Sequence, residues 1–170
     1  MLKLEELIAT LKSRRLGILF ILKMIPLDLW DWSPAPSMRS TAQLANHLAC
    51  SPLAILELFQ GNIPDEETYN ILESSNMPLN AQGLTKLYEE GLKRLITFLE
   101  DHLEDAQIEN IKLFYQDHNT SIYKEIFDEI GHEWFHLGQL FTYLRQNGVK
   151  IDMGAYYGYR DPDPEIPPNK

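Results

Sequence analysis

The chain has 170 residues, 44% of them hydrophobic and 24% charged, with 25 acidic against 15 basic side chains and a formal net charge of −10. A chain of this length and make-up forms one globular domain that buries most of its apolar surface without a disulfide scaffold or a structural metal. The acidic balance argues against nucleic acid as a partner, because phosphate binding needs clustered Lys and Arg and the longest basic group is only Lys12, Arg14 and Arg15.

From residue 2 to about 25, Leu4, Leu7, Ile8, Leu11, Leu16, Leu19, Leu22 and Ile25 recur mostly three or four apart, which predicts a first helix. Leu16 to Ile25 comes nearest to a membrane span, but Lys23 interrupts it and Pro26 ends it, far short of the roughly 20 apolar residues required. Glu5 and Glu6 stand where a signal peptide carries basic residues. The expectation is a soluble cytoplasmic protein with no membrane partner, and the single cysteine, Cys50, agrees with a reducing compartment.

Pro26 and the segment Trp30 to Pro36 form a connector, since proline removes an amide donor and pushes the preceding residue out of the helical region. Ser40 or Thr41 is placed to cap a second helix whose stripe holds Leu44, His47, Leu48, Ser51, Ile55 and Leu58 and which ends near Gly61. Pro52 within it predicts a kink, or a restart capped by Ser51. Residues 62 to 80, with Pro64 and Pro78 and few apolar positions, read as a long crossover with at most one short helical turn. A third helix starts near Asn80 and carries Leu84, Leu87, Tyr88, Leu92, Leu95, Ile96, Leu99 and Leu103. Residues 104 to 119 are acidic and mixed. A fourth helix runs from Thr120 or Ser121 through Ile122, Ile126, Ile130, Leu137, Phe141 and Leu144 to the Asn147-Gly148 stop. Four amphipathic helices predict an all-α four-helix bundle over residues 1 to 150, followed by a Tyr- and Pro-rich extension over 151 to 170 that is partly extended or disordered.

The chemistry concentrates in Gly131 to His136. His132 and His136, four apart, project from one helix face within reach of one ion, and neutral imidazole is a common ligand for zinc, nickel and copper. On a helical wheel both fall about 80 to 120° from the core direction, at a border shared with Glu125, Glu129 and Tyr143. The same residues spell H-E-x-x-H, in which a zinc protease uses the Glu as general base. The longer protease extension is absent, since Gln139 and Thr142 occupy the Gly and third-His places, and no strand pattern supplies a substrate-aligning sheet. Glu133 points almost along the core direction, which permits contact with a buried site and equally suits a buried structural carboxylate. His47, inside the apolar stripe of helix two, is the best third ligand, because an unpaired ring there would be costly to bury. His102 and His118 read as surface residues. Cys50, three after His47, is close enough to approach the site, although a buried cysteine is usually a small hydrophobe. Trp30, Trp32 and Trp134 read as core or interface rather than pocket walls.

Trp-x-Pro-x-Pro ahead of Ser-x-x-x-Leu-x-x-His-Leu-Ala (Trp32 to Ala49), together with His-x-x-x-His-x-Gly-Gln-Leu-x-x-Tyr-Leu-Arg-x-x-Gly (His132 to Gly148), resembles the DinB family. That resemblance implies a four-helix bundle with a long crossover between helices 2 and 3. It also implies a divalent metal, zinc or nickel, held by His47, His132 and His136. It further implies a thiol S-transferase using a low-molecular-weight thiol, or a hydrolase, acting on a small-molecule substrate, and a homodimer. Glu129, Glu133 and Tyr143 are weak candidates for a general base. The alternative is a non-catalytic metal-binding, structural or interaction bundle related to stress.

Overall fold

The computed structural model describes residues 3–75, 77–102 and 111–159. Helices α1 (Leu4–Lys23), α2 (Thr41–Phe59), α4 (Ala81–Asp101) and α5 (Ile122–Gln146) form the bundle; α3 (Glu66–Ser75) lies in the crossover from α2 to α4, and α6 (Met153–Tyr156) follows the bundle. The described residues contain no strand, only an isolated antiparallel bridge between Ile111 and Thr120. No described helix is long and apolar enough to cross a membrane.

The local signals act where the sequence puts them. Ser40 and Gln43 form a reciprocal capping box at α2, Gln43 N–H to Ser40 Oγ at 3.2 Å and Ser40 N–H to Gln43 Oε1 at 2.9 Å. Asn80 and Ser121 accept from Gly83 N–H and Lys124 N–H to start α4 and α5. Gly61 and Gly148, just past α2 and α5, have φ of +74° and +82°, the left-handed conformation that stops a helix without a Cβ clash.

Three details differ from the periodicity. Helix α2 passes through Pro52 without a restart, and Ser51 turns its hydroxyl to Glu129 of α5 instead of capping. The crossover holds ten helical residues, capped where Thr68 N–H meets Asp65 Oδ1 at 2.8 Å, with Tyr69 and Leu72 half-buried against the core. Two apolar residues suffice because α3 needs to cover only one stripe of α2. In α1, Leu16 is exposed and Arg14 takes the buried position, since it is 14, not 16, that continues the three-four spacing of Leu4, Leu7, Leu11 and Ile18. Leu103 and residues 104 to 110 lie outside the described residues, as do 160 to 170 with the four final prolines.

The C-terminal extension begins folded. Asp152 accepts from Gly154 and Ala155 N–H to cap α6, while Ile151, Ala155 and Tyr156 are buried. Gly17 makes this possible: a Cβ there would stand 2.1 Å from the Tyr156 carbonyl oxygen. Gly17→Ala is therefore expected to cost about 1–3 kcal/mol, the range for overpacking against atoms that cannot move aside. Gly131→Ala, with open space around it, should stabilise by up to about 1 kcal/mol through helix propensity. Urea unfolding of the two variants checks both signs, and an undestabilised Gly17→Ala would place α6 off α1.

Candidate metal centre

Packing of α2 against α5 brings His47 onto the pair His132 and His136. The ring centroids are 4.6 Å apart for His47 and His136, 4.5 Å for His132 and His136, and 5.1 Å for His47 and His132. One ligand nitrogen from each of the three lies within 4.8 Å of the others. His47 and His136 are buried and His132 half-buried, so the cluster is reached from one side.

Each Nδ1 has its own partner. His47 Nδ1 meets Glu73 Oε2 at 3.3 Å, His136 Nδ1 meets Gln139 Oε1 at 2.7 Å, and His132 Nδ1 meets Glu129 Oε2 at 3.3 Å and Ser51 Oγ at 3.4 Å. An ionised carboxylate only accepts, so Nδ1 of His47 and of His132 carries the proton and Nε2 carries a lone pair. Those two Nε2 atoms face each other at 3.1 Å. Two lone pairs at that distance repel unless a cation or a proton lies between them. Nitrogens sharing one ion at about 2.0–2.1 Å each stand roughly 3.0–3.4 Å apart, so the spacing suits a metal. Acceptors on the outer nitrogen of every ring are the usual way protein metal sites orient imidazole ligands. The donor set fits a divalent ion of the zinc or nickel kind.

The surroundings tune the rings differently. Burial lowers His136 to about 4, and the neighbouring charges of His132 and His47 add to this against the Gln139 bond, so the ring stays neutral and ready to bind well below pH 7. Burial also acts to lower His132, but the Glu129 carboxylate bonded to its Nδ1, with Glu133 behind, raises it overall.

The H-E-x-x-H residues part company at the helix surface. Glu133 is fully buried on the core side, where Tyr88 of α4 donates to its Oε1 at 3.0 Å. Burial, reinforced by the charge of Glu129, pushes Glu133 up to about 8, against the opposing effects of Arg14 and Tyr88. Arg14 donates to the Ile130 carbonyl at 2.5 Å and lies over the Trp134 ring, 4.1 Å from its centroid. The structure thus seals Glu133 beneath the histidines and brings Glu129 beside them. Tyr143 is tied to the connector, its hydroxyl donating to the Arg39 carbonyl at 3.3 Å and its ring edge-on to Trp32. His118 is exposed; His102 is half-buried at the end of α4, with Nδ1 bonded to the Phe98 carbonyl.

A cavity of about 690 Å³ opens beside His132, with Ser51 and Glu129 at the histidine end and Arg39, Tyr69 and Phe114 among its walls. Glu73, Gln139 and Ser51 are the site residues that sequence reasoning missed. Gln139 and Ser51 stand one turn from His136 and His47, a helical spacing that could have found them. Glu73 has no such signal, because only docking of the crossover brings it to His47.

A DinB family model matches residues 1–168. The chain belongs to the DinB family. The match extends through α6 and past the bundle. Among solved structures, a DinB-like protein from Bacillus cereus ATCC 10987 superposes with a TM-score of 0.70 at 17% identity, covering 87% of this chain and 95% of that one. A DinB-like protein from Bacillus subtilis gives 0.63 at 19% identity, covering 86% and 94%. These likenesses establish the shared DinB fold. No curated protein has a sequence that matches this chain.

Two measurements follow from the tuning of this DinB site. With His136 at about 4 folded and near its ordinary ~6.5 unfolded, the unfolded chain binds the extra proton between those values. That part of the stability is present above about pH 6.5 and is lost as pH falls towards 4. Urea midpoints of metal-free protein at pH 6.5 and 4.5 should therefore differ less in His136→Gln than in the unmodified chain; an equal difference would mean that His136 is not buried neutral. Cys50 is buried and its thiol is raised to about 12, first by burial and then by the charge of Glu73. It should resist a thiol-alkylating reagent at pH 8 in the folded chain and react on unfolding, as mass spectrometry would record.

Proposed function

We propose that this DinB-family chain binds one divalent ion, zinc or nickel, through His47, His132 and His136, and uses it as a thiol S-transferase or a hydrolase on a small-molecule substrate. The observation that carries the reading is the convergence of three imidazoles whose Nδ1 atoms are each anchored by an acceptor. A divalent ion held there supplies Lewis acidity, which brings a thiol or a water into its anionic, nucleophilic form near neutral pH.

The chain's own groups have definable roles in that reading. Glu73 and Gln139 keep Nδ1 of His47 and His136 protonated and so present Nε2. Glu129 does this for His132, and it is also the carboxylate at the cavity end, where it accepts from Ser51. It is therefore better placed than Glu133 to hold a proton near a substrate, because Glu129 lines the cavity whereas Glu133 is fully buried. The adjoining cavity has room for a small thiol and an electrophile together. The protein is proposed to act in the cytoplasm as a homodimer.

Protein prepared without a His-tag is expected to carry about one divalent ion per chain by elemental analysis, and His132→Ala/His136→Ala to carry none while keeping its helical circular dichroism. Glu73→Ala should weaken metal affinity about 10–100-fold, the usual effect of losing an outer-shell partner. Turnover of an electrophile with a small thiol should disappear in His47→Ala. A chain that binds no divalent ion would overturn the proposal, whereas metal without turnover would leave a binding protein.

A further inference from the structure

The cavity beside His132 has several carboxylates in its walls, but most are already engaged. Glu129 accepts from Ser51 and flanks His132. Glu125 accepts from Thr120 Oγ1 at 2.7 Å, Gln116 Nε2 at 2.9 Å and Tyr115 Oη at 3.3 Å. Asp128 is paired with Lys124. Glu66 is exposed in the first turn of α3, where the helix amides offset its charge.

Arg39 differs. It lines the same cavity, and its guanidinium has no hydrogen-bond or ion-pair partner among the described residues. Its backbone is held in place: it immediately precedes the Ser40 cap of α2, and its carbonyl accepts from Tyr143 of α5. The residue is thereby tied to both helices that carry the histidines. The same cavity wall includes the apolar side chains of Ala54, Ile55 and Leu58.

We propose that Arg39 receives a carboxylate of the molecule that occupies this cavity, while a thiol of the same molecule reaches the three-histidine site. The assignment rests on the metal-binding reading above. A planar guanidinium pairs with a carboxylate through two parallel hydrogen bonds, which fixes orientation as well as charge. One unengaged cation suits a monoanion; a dianionic phosphate would meet more repulsion from the surrounding carboxylates than one guanidinium offsets. The ligand class is a small mercaptocarboxylate or a larger thiol bearing a carboxylate near its sulfur.

The test uses the full chain loaded with cobalt(II), whose thiolate absorption band reports a sulfur at the metal as the thiol proton passes to buffer. The probes are 3-mercaptopropionate and its neutral amide, 3-mercaptopropionamide. The acid should bind about ten-fold or more tightly than the amide, the size expected for a charge-assisted pair. Arg39→Gln should bring the two within about two-fold while keeping cobalt stoichiometry and amide affinity, and Arg39→Lys, which keeps the charge but not the fork, should fall between. Equal binding of acid and amide by the unmodified chain, or a preference that survives in Arg39→Gln, would overturn the role of Arg39 while leaving the metal reading intact. Failure of cobalt to bind would overturn both.

Discussion

The contact between α2 and α5 at His47, His132 and His136 is the constraint around which the rest of this structure is arranged. Three imidazoles packed together inside a helical interface lose their water, and a buried polar group without a partner costs about 1–3 kcal/mol. The chain meets this by giving every Nδ1 an acceptor and by tying Ser51 of α2 to Glu129 of α5 beside the rings. The polar seam therefore joins two helices that apolar packing alone would leave freer to slide. Ser51, the residue just before Pro52, supplies that tie at the level where α2 loses a backbone amide donor.

Below the histidines lies a second buried polar layer of different character. Glu133, Tyr88 and Arg14 come from α5, α4 and α1, with Trp134 under the guanidinium. Positions 132 and 136 share a face of α5, whereas 133 is turned by about 100° and enters the core. The H-E-x-x-H string thus supplies two metal-facing groups and one structural carboxylate. The zinc-protease arrangement needs its Glu open to a substrate, and here that residue is fully buried.

The crossover links fold to site. Because α4 follows α2 only after residues 60–80, the connection has length enough to carry α3 back over α2, and it delivers Glu73 to His47. It also delivers Tyr69 to the cavity wall, so the same segment helps orient a ligand imidazole and shape the space beside it. A shorter connection would have left His47 with an unpaired Nδ1 in an apolar setting.

Much of this was legible in the residues themselves. The four long helices, their caps at Ser40, Asn80 and Ser121 and their stops at Gly61 and Gly148 follow from local rules, because a 3.6-residue period and a cap need only neighbours in the chain. The pairing of His132 with His136, the core direction of Glu133 and the nomination of His47 follow from the same period. What needed the tertiary structure was every relation between segments far apart in sequence: His47 meeting the pair, Glu73 reaching His47, and α6 resting on Gly17. Periodicity states which residues share a helix face, but which faces meet depends on how the crossover and the C-terminal segment dock. The sequence alone therefore determined the bundle and its candidate ligands, while the packing of α2 against α5 decided that those ligands converge and the docking of α3 brought Glu73 to anchor His47.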